Sequence, residues 1–345
     1  MFCLAQRNIR VAISPFCNLD CIYCDGGQKN RRPGRPGAME DFRRKPLNQG
    51  VISTGVFIKI IESLHSAGFS GMTLTGGEPL LNPEWGLIVN KAKEIGMSRI
   101  GVTTNGMLLN TYLQKNKHLP DGLTLLTISL DTIYADRFKT ITRRGNFEEV
   151  MKGLNKAKKD NPKLIIRANK VLLRSDIESL LDYIEFCEKS GVIDEVNLLN
   201  LILKDQLDKK FFEEEFFFAS EVRDFFSAHT EYNFTIDRKY EFSTRLPSGL
   251  RIILKDTNPT LRNNQCTNCP IYCQEGFYTV RVATDGTITA CLDYRAKLPF
   301  IDGPMELENG TLSKKVNKLV QMFTKVKQKN TLNKFFRKNN IKLKK

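Results

Sequence analysis

No apolar run in this chain approaches the roughly 20 residues that a membrane-crossing helix needs, and Met1 to Arg10 lacks the long apolar core of an export signal. A spanning or secreted protein is not expected; the cytoplasm is. No internal repeat is visible, so an array of repeats is not expected either. A disulfide framework is also excluded. Of the nine cysteines, seven fall into two tight groups, which is how metal ligands are distributed in a reducing compartment. The last absence is of acid: Leu312 to Lys345 holds twelve Lys or Arg and no Asp or Glu, so a net charge of +15 leaves only +3 upstream. The charge belongs to a tail, and the body is nearly neutral.

What is present is length and apolar content sufficient for a barrel of about 200 to 250 residues with something appended. From residue 9 to about 202, strand-like runs alternate with helix-period segments, the pattern of a parallel α/β sheet or barrel. Strands are expected near 9–14, 72–75, 99–104, 124–130, 163–171 and 195–202. Helices are expected near 54–67, 83–95, 107–117, 147–159 and 176–190. Six such units are fewer than a closed eightfold barrel requires.

The first strand leads into Cys17-Asn-Leu-Asp-Cys21-Ile-Tyr-Cys24. Three thiolates in so short a loop select zinc or an iron-sulfur cluster over hard cations. A structural zinc site normally closes with four ligands, whereas three cysteines on a 4Fe-4S cluster leave one iron open. The spacing alone does not choose between them. Strand two leads into Thr75-Gly76-Gly77-Glu78-Pro79, strand three into Thr103-Thr104-Asn105-Gly106, and strand four into Ser129-Leu130-Asp131. All are carboxyl ends of strands, the face on which parallel barrels build their sites. Taken singly, the motifs at Thr75 to Pro79 and Thr103 to Gly106 read as turns.

Strand alternation sharpens the case. Val11 and Ile13 share one face, and Arg10, Ala12 and Ser14 the other. The same parity groups Thr73 with Thr75, Thr103 with Asn105, Thr127 with Ser129 and Asp131, and Arg167 with Asn169. One face is polar each time, so the lumen is expected to be a wet ligand chamber.

These motifs, in this order, resemble the radical S-adenosylmethionine (SAM) enzymes. The resemblance covers the first two hundred residues and implies a partial (β/α)6 TIM-type barrel. It implies that Cys17, Cys21 and Cys24 hold a catalytic 4Fe-4S cluster whose open iron takes SAM. It implies further that Tyr23 offers its backbone to the adenine, that Gly76, Gly77 and Glu78 with Pro79 receive the methionyl ammonium, and that Thr104, Asn105, Ser129 and Asn169 are further SAM contacts. Glycines make sense there, because they let backbone approach closely.

Further along, Lys29 to Pro46 is an irregular stretch rich in arginine, read as a solvated loop or a substrate lid. In the linker at 204–260, Phe212, Phe216, Ala219, Val222 and Phe226 fit a helix face that packs between layers. Strand-like runs at 232–236 and 250–255 follow. Cys187 and Cys3 read as ordinary core or surface residues.

A second group then appears: Cys266-Thr-Asn-Cys269-Pro-Ile-Tyr-Cys273, and Cys291 after a hairpin pattern across Asp285-Gly286. Four thiols suit zinc or a second 4Fe-4S cluster. In company with the first group, 261–311 resembles the twitch or SPASM auxiliary-cluster domain, a small α+β unit. Either all four cysteines ligate or one is left as a hydrogen donor. The expected order is therefore a barrel at 1–203, a linker, this domain, and a basic tail from 312.

A finer resemblance is to the GTP cyclases that start molybdenum-cofactor biosynthesis. It rests on Arg10 seven residues before Cys17, the Ser129-Leu-Asp-Thr run, Phe138-x-x-Ile-Thr142, Arg167 in place of a lysine, and Arg281 before Asp285-Gly286. Departures stand beside it: Thr73 where that family has a basic residue, Asn197 where it has an arginine, four auxiliary thiols for three, and a lysine tail for Gly-Gly.

The expected function is reductive cleavage of SAM and hydrogen abstraction from a peptide, nucleotide or sugar substrate held between two clusters. A flavodoxin, ferredoxin or reductase would supply the electron. Arg10, Arg167 and Arg281 point to a substrate that is anionic in part, the alternative being internal salt bridges to Asp131, Glu195 or Asp285. Competing readings are a GTP cyclase and a non-catalytic iron-sulfur protein recruited to nucleic acid or an acidic partner by its tail. In that tail Val316, Leu319, Val320 and Phe323 form an apolar stripe suited to packing on the body.

Overall fold

The structure, a computed structural model, describes residues 8–24, 51–202, 207–238, 241–255, 259–262, 279–289, 301–324, 327–330 and 342. Cys3, the stretch Lys29 to Pro46, and Cys266, Cys269, Cys273 and Cys291 lie outside the described residues. Among the described residues no helix is long and apolar enough to cross a membrane.

Six strands form in sequence order: β1 (Asn8–Ala12), β2 (Gly71–Thr75), β3 (Arg99–Thr104), β4 (Leu125–Ser129), β5 (Ile165–Leu172) and β6 (Glu195–Asn200). Each pairs with the next in parallel. The connections carry α1 (Thr54–Ser66), α2 (Trp85–Ile95), α3 (Leu109–Asn116), α4 (Ala135–Thr142), α5 (Phe147–Asp160) and α6 (Leu180–Ser190). This is the α/β partial barrel expected.

Local chemistry explains the helices. Ser53 caps α1 by accepting from Val56 N–H, and Phe57, Ile60, Ile61 and Leu64 give it one buried stripe. Asn146 caps α5, with Glu148 and Glu149 in its first turn and Lys158 and Lys159 in its last, each sign suited to its end of the helix dipole. The expected strand alternation holds. Ile9, Val11, Met72, Leu74, Ile100, Val102, Leu126, Ile128, Ile166, Ala168, Val196 and Leu198 are fully buried under the helices.

The sheet does not end at β6. Strand β9 (Arg251–Lys255) adds in parallel to β6, and β8 (Glu241–Arg245) and β7 (Thr235–Arg238) follow antiparallel. At the other edge β11 (Thr279–Val282) adds in parallel to β1, with β12 (Thr287–Thr289) and β13 (Ile301–Asp302) antiparallel beyond it. Among the described residues one open twelve-stranded sheet results, and its eight central strands are parallel. The expected hairpin across Asp285-Gly286 is β11–β12; Gly286 turns it at φ +82°, where a Cβ would lie 2.6 Å from Pro304 Cδ. A separate small sheet pairs β10 (Pro259–Arg262) with β14 (Lys327–Asn330).

The phenylalanine-rich segment buries the residues expected, but not on one helix: Phe212 is on α7 (Lys209–Glu215), Ala219, Val222 and Phe226 are on α8 (Ala219–His229), and Phe216 lies between them. Between them the chain runs extended. Arg174 donates to Phe216 O (3.2 Å) and to Glu221 (2.9 Å), and Asn200 donates to Phe217 O (2.8 Å). Phe212 and Phe216 stack at 4.9 Å and form a second small core with Leu173 and Leu201, against which Ile22 and Tyr23 of the cysteine loop pack. Two short helices, α9 (Gly303–Glu308) and α10 (Leu312–Thr324), close the described chain's carboxyl side. Leu312, Val316 and Leu319 are buried where α10 meets α1.

Phe212→Ala should lower unfolding free energy by about 3 to 5 kcal/mol, since Phe212 is fully buried in a core too small to collapse around the gap. Denaturant titration checks this; a loss under 1 kcal/mol would show that the second core carries no load.

Candidate radical SAM site

The loop after β1 is held from two sides. On one side, the β1–β2 ladder continues past the strands: Ile13 N–H donates to Thr75 O (3.0 Å), Gly77 N–H to Ser14 O (2.7 Å) and Glu78 N–H to Phe16 O (2.6 Å). Both glycines are required by this approach. A Cβ on Gly76 would sit 2.3 Å from Ser14 O, and one on Gly77 would sit 2.1 Å from Phe16 O. On the other side, Asp20 N–H donates to Thr142 O (3.2 Å) and Ile22 N–H to Ile141 O (2.9 Å), and Arg143 pairs with Asp20 at 3.2 Å. The Phe138-x-x-Ile-Thr142 run thus acquires a physical purpose: the end of α4 supports the second half of the cysteine loop.

Glu78 is fully buried, and its carboxylate is consumed within the protein. Oε1 accepts from Leu80 N–H (3.0 Å) and Thr104 Oγ1–H (2.6 Å), and Oε2 from Asn105 N–H (2.8 Å). Only the backbone of the Gly-Gly-Glu segment is left to face a ligand. Burial pushes the Glu78 carboxyl up to about 7, against three hydrogen bonds that pull it down.

Tyr23 is fixed through its phenol, which donates to Asp131 Oδ2. Asp131 Oδ1 accepts from Val171 N–H (2.8 Å), and Lys170 donates to the Asp131 carbonyl. Lys170 is an exception to the strand pattern, a lysine on the apolar face of β5. It is buried, lies 5.1 Å from the Tyr183 ring centroid, and has its pKa lowered chiefly by burial. Asp131 answers it, so the two buried charges offset one another. Sequence reading placed Asp131 in the lumen and missed this role; the Ser-Leu-Asp motif was the available signal.

The lumen carries the expected polar side chains. Ser129 and Asn169 are register neighbours on β4 and β5, and Asn197 donates to Asn169 Oδ1 at 2.9 Å. Arg167 donates to Glu195 through Nε (2.7 Å) and Nη2, and Arg251 lies 3.6 Å from the same carboxylate. The charge of Arg167 is therefore answered internally, by one of the three acids named as the alternative. Asp131 takes Tyr23 instead, and Asp285 accepts from Thr287 N–H in its turn (2.9 Å). Arg10 and Arg281 stand opposite one another in the β1–β11 register.

The three thiols are close enough for their charges to interact. Burial is the main reason Cys17 and Cys21 have raised pKa values, and neighbouring thiols push them the same way. Metal binding would displace the protons so retained. Among the described residues no three His, Cys, Asp or Glu side chains converge as a single bound ion requires. A 4Fe-4S cluster takes each thiolate at a different iron, so this donor set fits a cluster without such convergence. Cys187 is buried in α6, its thiol pushed up to about 12, as a packing residue should be.

A family model described as the radical SAM superfamily matches residues 11–187, just over half of the chain. The chain belongs to the radical SAM superfamily. A probable GTP 3′,8-cyclase of Methanococcus maripaludis is 32% identical over 187 residues, covering 54% of this chain and 57% of that protein. The corresponding protein of Methanocaldococcus jannaschii is 27% identical over 289 residues, 83% of this chain and 85% of that one. The chain spans little more than half the length of the first of these relatives. Among solved structures, Streptococcus suis SuiB superposes with a TM-score of 0.60 at 13% identity, over 89% of this chain and 65% of that one. That similarity is one of fold alone.

The sign of a pH effect follows from Glu78. A carboxyl whose folded pKa exceeds its ordinary 4.5 costs stability once ionised, so the penalty is absent at low pH and complete above about 7. The stability difference between wild type and Glu78→Gln should move toward the variant by roughly 3 kcal/mol as pH rises across that window. Urea titrations of the apoprotein at several pH values measure it; a difference flat in pH would mean that Glu78 does not ionise there.

Proposed function

We propose that this chain is a radical SAM enzyme in which Cys17, Cys21 and Cys24 hold a 4Fe-4S cluster and the backbone of Gly76 to Pro79, with Tyr23, Ser129 and Asn169, receives SAM. When bound, the pair supplies one-electron reduction of SAM and abstraction of a hydrogen atom from substrate. The observation that carries the proposal is the double anchoring of the cysteine loop, to the Gly-Gly-Glu segment and to α4. That anchoring holds three thiols and the SAM-facing backbone as one body. Tyr23 is prevented from swinging by Asp131, and the core around Phe212 and Phe216 shields the loop from water on its far side.

Cys266, Cys269, Cys273 and Cys291 are proposed to hold a second 4Fe-4S cluster in a unit spanning 261–311. Its support is the β11–β12 hairpin, which lies between the third and fourth of these thiols and pairs with the strand that leads to the first cluster. A reductase, flavodoxin or ferredoxin is the proposed electron donor, and the cytoplasm the proposed compartment.

The substrate is proposed to be anionic in part. Arg10 and Arg281 occupy the same register position on adjacent parallel strands, so both side chains leave the sheet on the lumen face, with backbones about 4.8 Å apart. Two like charges so placed favour an anion that bridges them. Arg167 donates to Glu195. The cyclase reading has the relatives' names and this arginine pair in its favour. Against it stand Thr73, which accepts a hydrogen bond from Asn8 (3.2 Å), and Asn197, bonded to Asn169, at positions where the cyclases carry basic residues.

Reconstituted protein, reduced anaerobically, should convert SAM to 5′-deoxyadenosine, and the triple variant Cys17→Ala, Cys21→Ala, Cys24→Ala should not. Cleavage retained by that variant would overturn the assignment. With GTP present, 5′-deoxyadenosine formation without a cyclised nucleotide would reject the cyclase reading.

Loss of a charge-assisted contact, about 1.5 to 3 kcal/mol, predicts that Arg10→Met and Arg281→Met raise substrate KM about ten- to a hundredfold. Arg167→Met should lower thermal stability, by leaving Arg251 as the remaining cation beside Glu195 among the described residues. Steady-state kinetics on the three variants, beside their melting temperatures, separate these outcomes; an unchanged KM in both Arg10→Met and Arg281→Met would end the anionic-pocket idea.

A further inference from the structure

Asn105 is held by three separate contacts. Its backbone N–H donates to Glu78 Oε2 (2.8 Å), its Oδ1 accepts from Met107 N–H (3.0 Å), and its Nδ2 donates to Asn18 Oδ1 (2.8 Å). The same Nδ2 lies 3.7 Å from Cys17 Sγ in hydrogen-bonding geometry. The orientation of the amide is thus determined by its surroundings. Met107 N–H needs an acceptor, which keeps Oδ1 turned away and presents the NH2 group to the sulfur. Asn105 is buried, so little solvent competes for the contact. Cys17 also accepts from Leu19 N–H at 3.4 Å.

We propose that Asn105 is a positioning residue that sets the reduction potential of the cluster through the Cys17 thiolate, and that Glu78 holds it in place. The proposal rests on the reading of Cys17, Cys21 and Cys24 as cluster ligands. Hydrogen bonds to ligand sulfur draw charge from the cluster and stabilise its reduced, more negative form. Glu78 works in the opposite direction at longer range: its carboxylate, when ionised, adds negative potential at Cys17. Asn105 lies between the two, fixed to one and donating to the other. Beside the backbone bonds to Ser14 and Phe16, Asn105 thus links the SAM-facing Gly-Gly-Glu segment to Cys17, by its backbone N–H at one end and its side chain at the other.

The test uses full-length protein, anaerobically reconstituted, with a redox titration followed by electron paramagnetic resonance of the signal that SAM perturbs. Asn105→Asp keeps the shape and the acceptor for Met107 but turns an acceptor, and a charge, toward the sulfur. Asn105→Ala removes the side chain. Both should shift the midpoint potential negative, Asp further than Ala. For Asp, a tenfold fall in the reduced-to-oxidised ratio at a fixed potential, about 59 mV for a one-electron couple, is the expected scale. Iron per chain and the melting temperature are recorded in parallel, because a purely structural role would lower those without a graded shift in potential.

If wild type shows no SAM-sensitive signal, or the signal survives Cys17→Ala, the ligand assignment fails and Asn105 is not the cause. If wild type shows the signal and both variants retain it at the wild-type potential, the Asn105 proposal is overturned. Should either variant bind no cluster, Asn105→Leu, which keeps the bulk but has no donor, decides the matter: a negative shift in potential supports the proposal, and a wild-type potential rejects it.

Discussion

Two backbone hydrogen bonds, from Gly77 and Glu78 to the carbonyls of Ser14 and Phe16, constrain most of what surrounds the cysteine loop. They bring backbone so close to backbone that neither Gly76 nor Gly77 has room for a Cβ. The contact then extends sideways. Glu78, held by its own amide, passes its carboxylate to Thr104 and Asn105, so the loops after β1, β2 and β3 form one floor. The cost of burying that carboxylate shows in its raised pKa, and three donors limit it. A glycine motif that looks like a ligand cradle is here, in the first place, a joint between loops.

The opposite wall is built from different chemistry. Tyr23 bonds to Asp131, Asp131 is balanced by Lys170, and the end of α4 offers two carbonyls to the loop. Aromatic packing from the α7–α8 junction completes it. One side therefore depends on the absence of side chains, the other on long side chains buried together. A substitution that adds volume should damage the first side, and one that removes a polar partner should damage the second.

What could be read from the sequence divides along the same lines. Alternation exposed the polar lumen because period two is local, and the first five strands each showed it within a few residues. The partner of Arg167 was not local. Glu195 lies 28 positions later, and only the β5–β6 register brings it alongside, which is why three candidate acids could be named but not ranked. Helix α4 escaped notice because eight residues with Phe138 and Ile141 as their main apolar contacts make a weak periodic signal. Lys170 could not be foreseen, since its partner is a backbone carbonyl. The sheet's extension at both edges was invisible for a similar reason: strand order is a property of the whole chain, and β9 and β11 are separated by the segment that carries three of the auxiliary cysteines.

That extension bears on how such a protein could have been assembled and how it can be dissected. A conventional partial barrel is a module that gains or loses appendages at its carboxyl end. Here β1 and β6, the first and last strands of the module, are both interior, paired along their lengths with β11 and β9. A fragment ending near residue 203 would bare both flanks at once, and each would present a row of unpaired amides and carbonyls, flanked by Ile9 and Val11 on β1 and by Val196 and Leu198 on β6, the template on which strands of separate molecules pair. Gene-level shortening from the carboxyl end would thus be selected against by insolubility, whatever the fate of the chemistry.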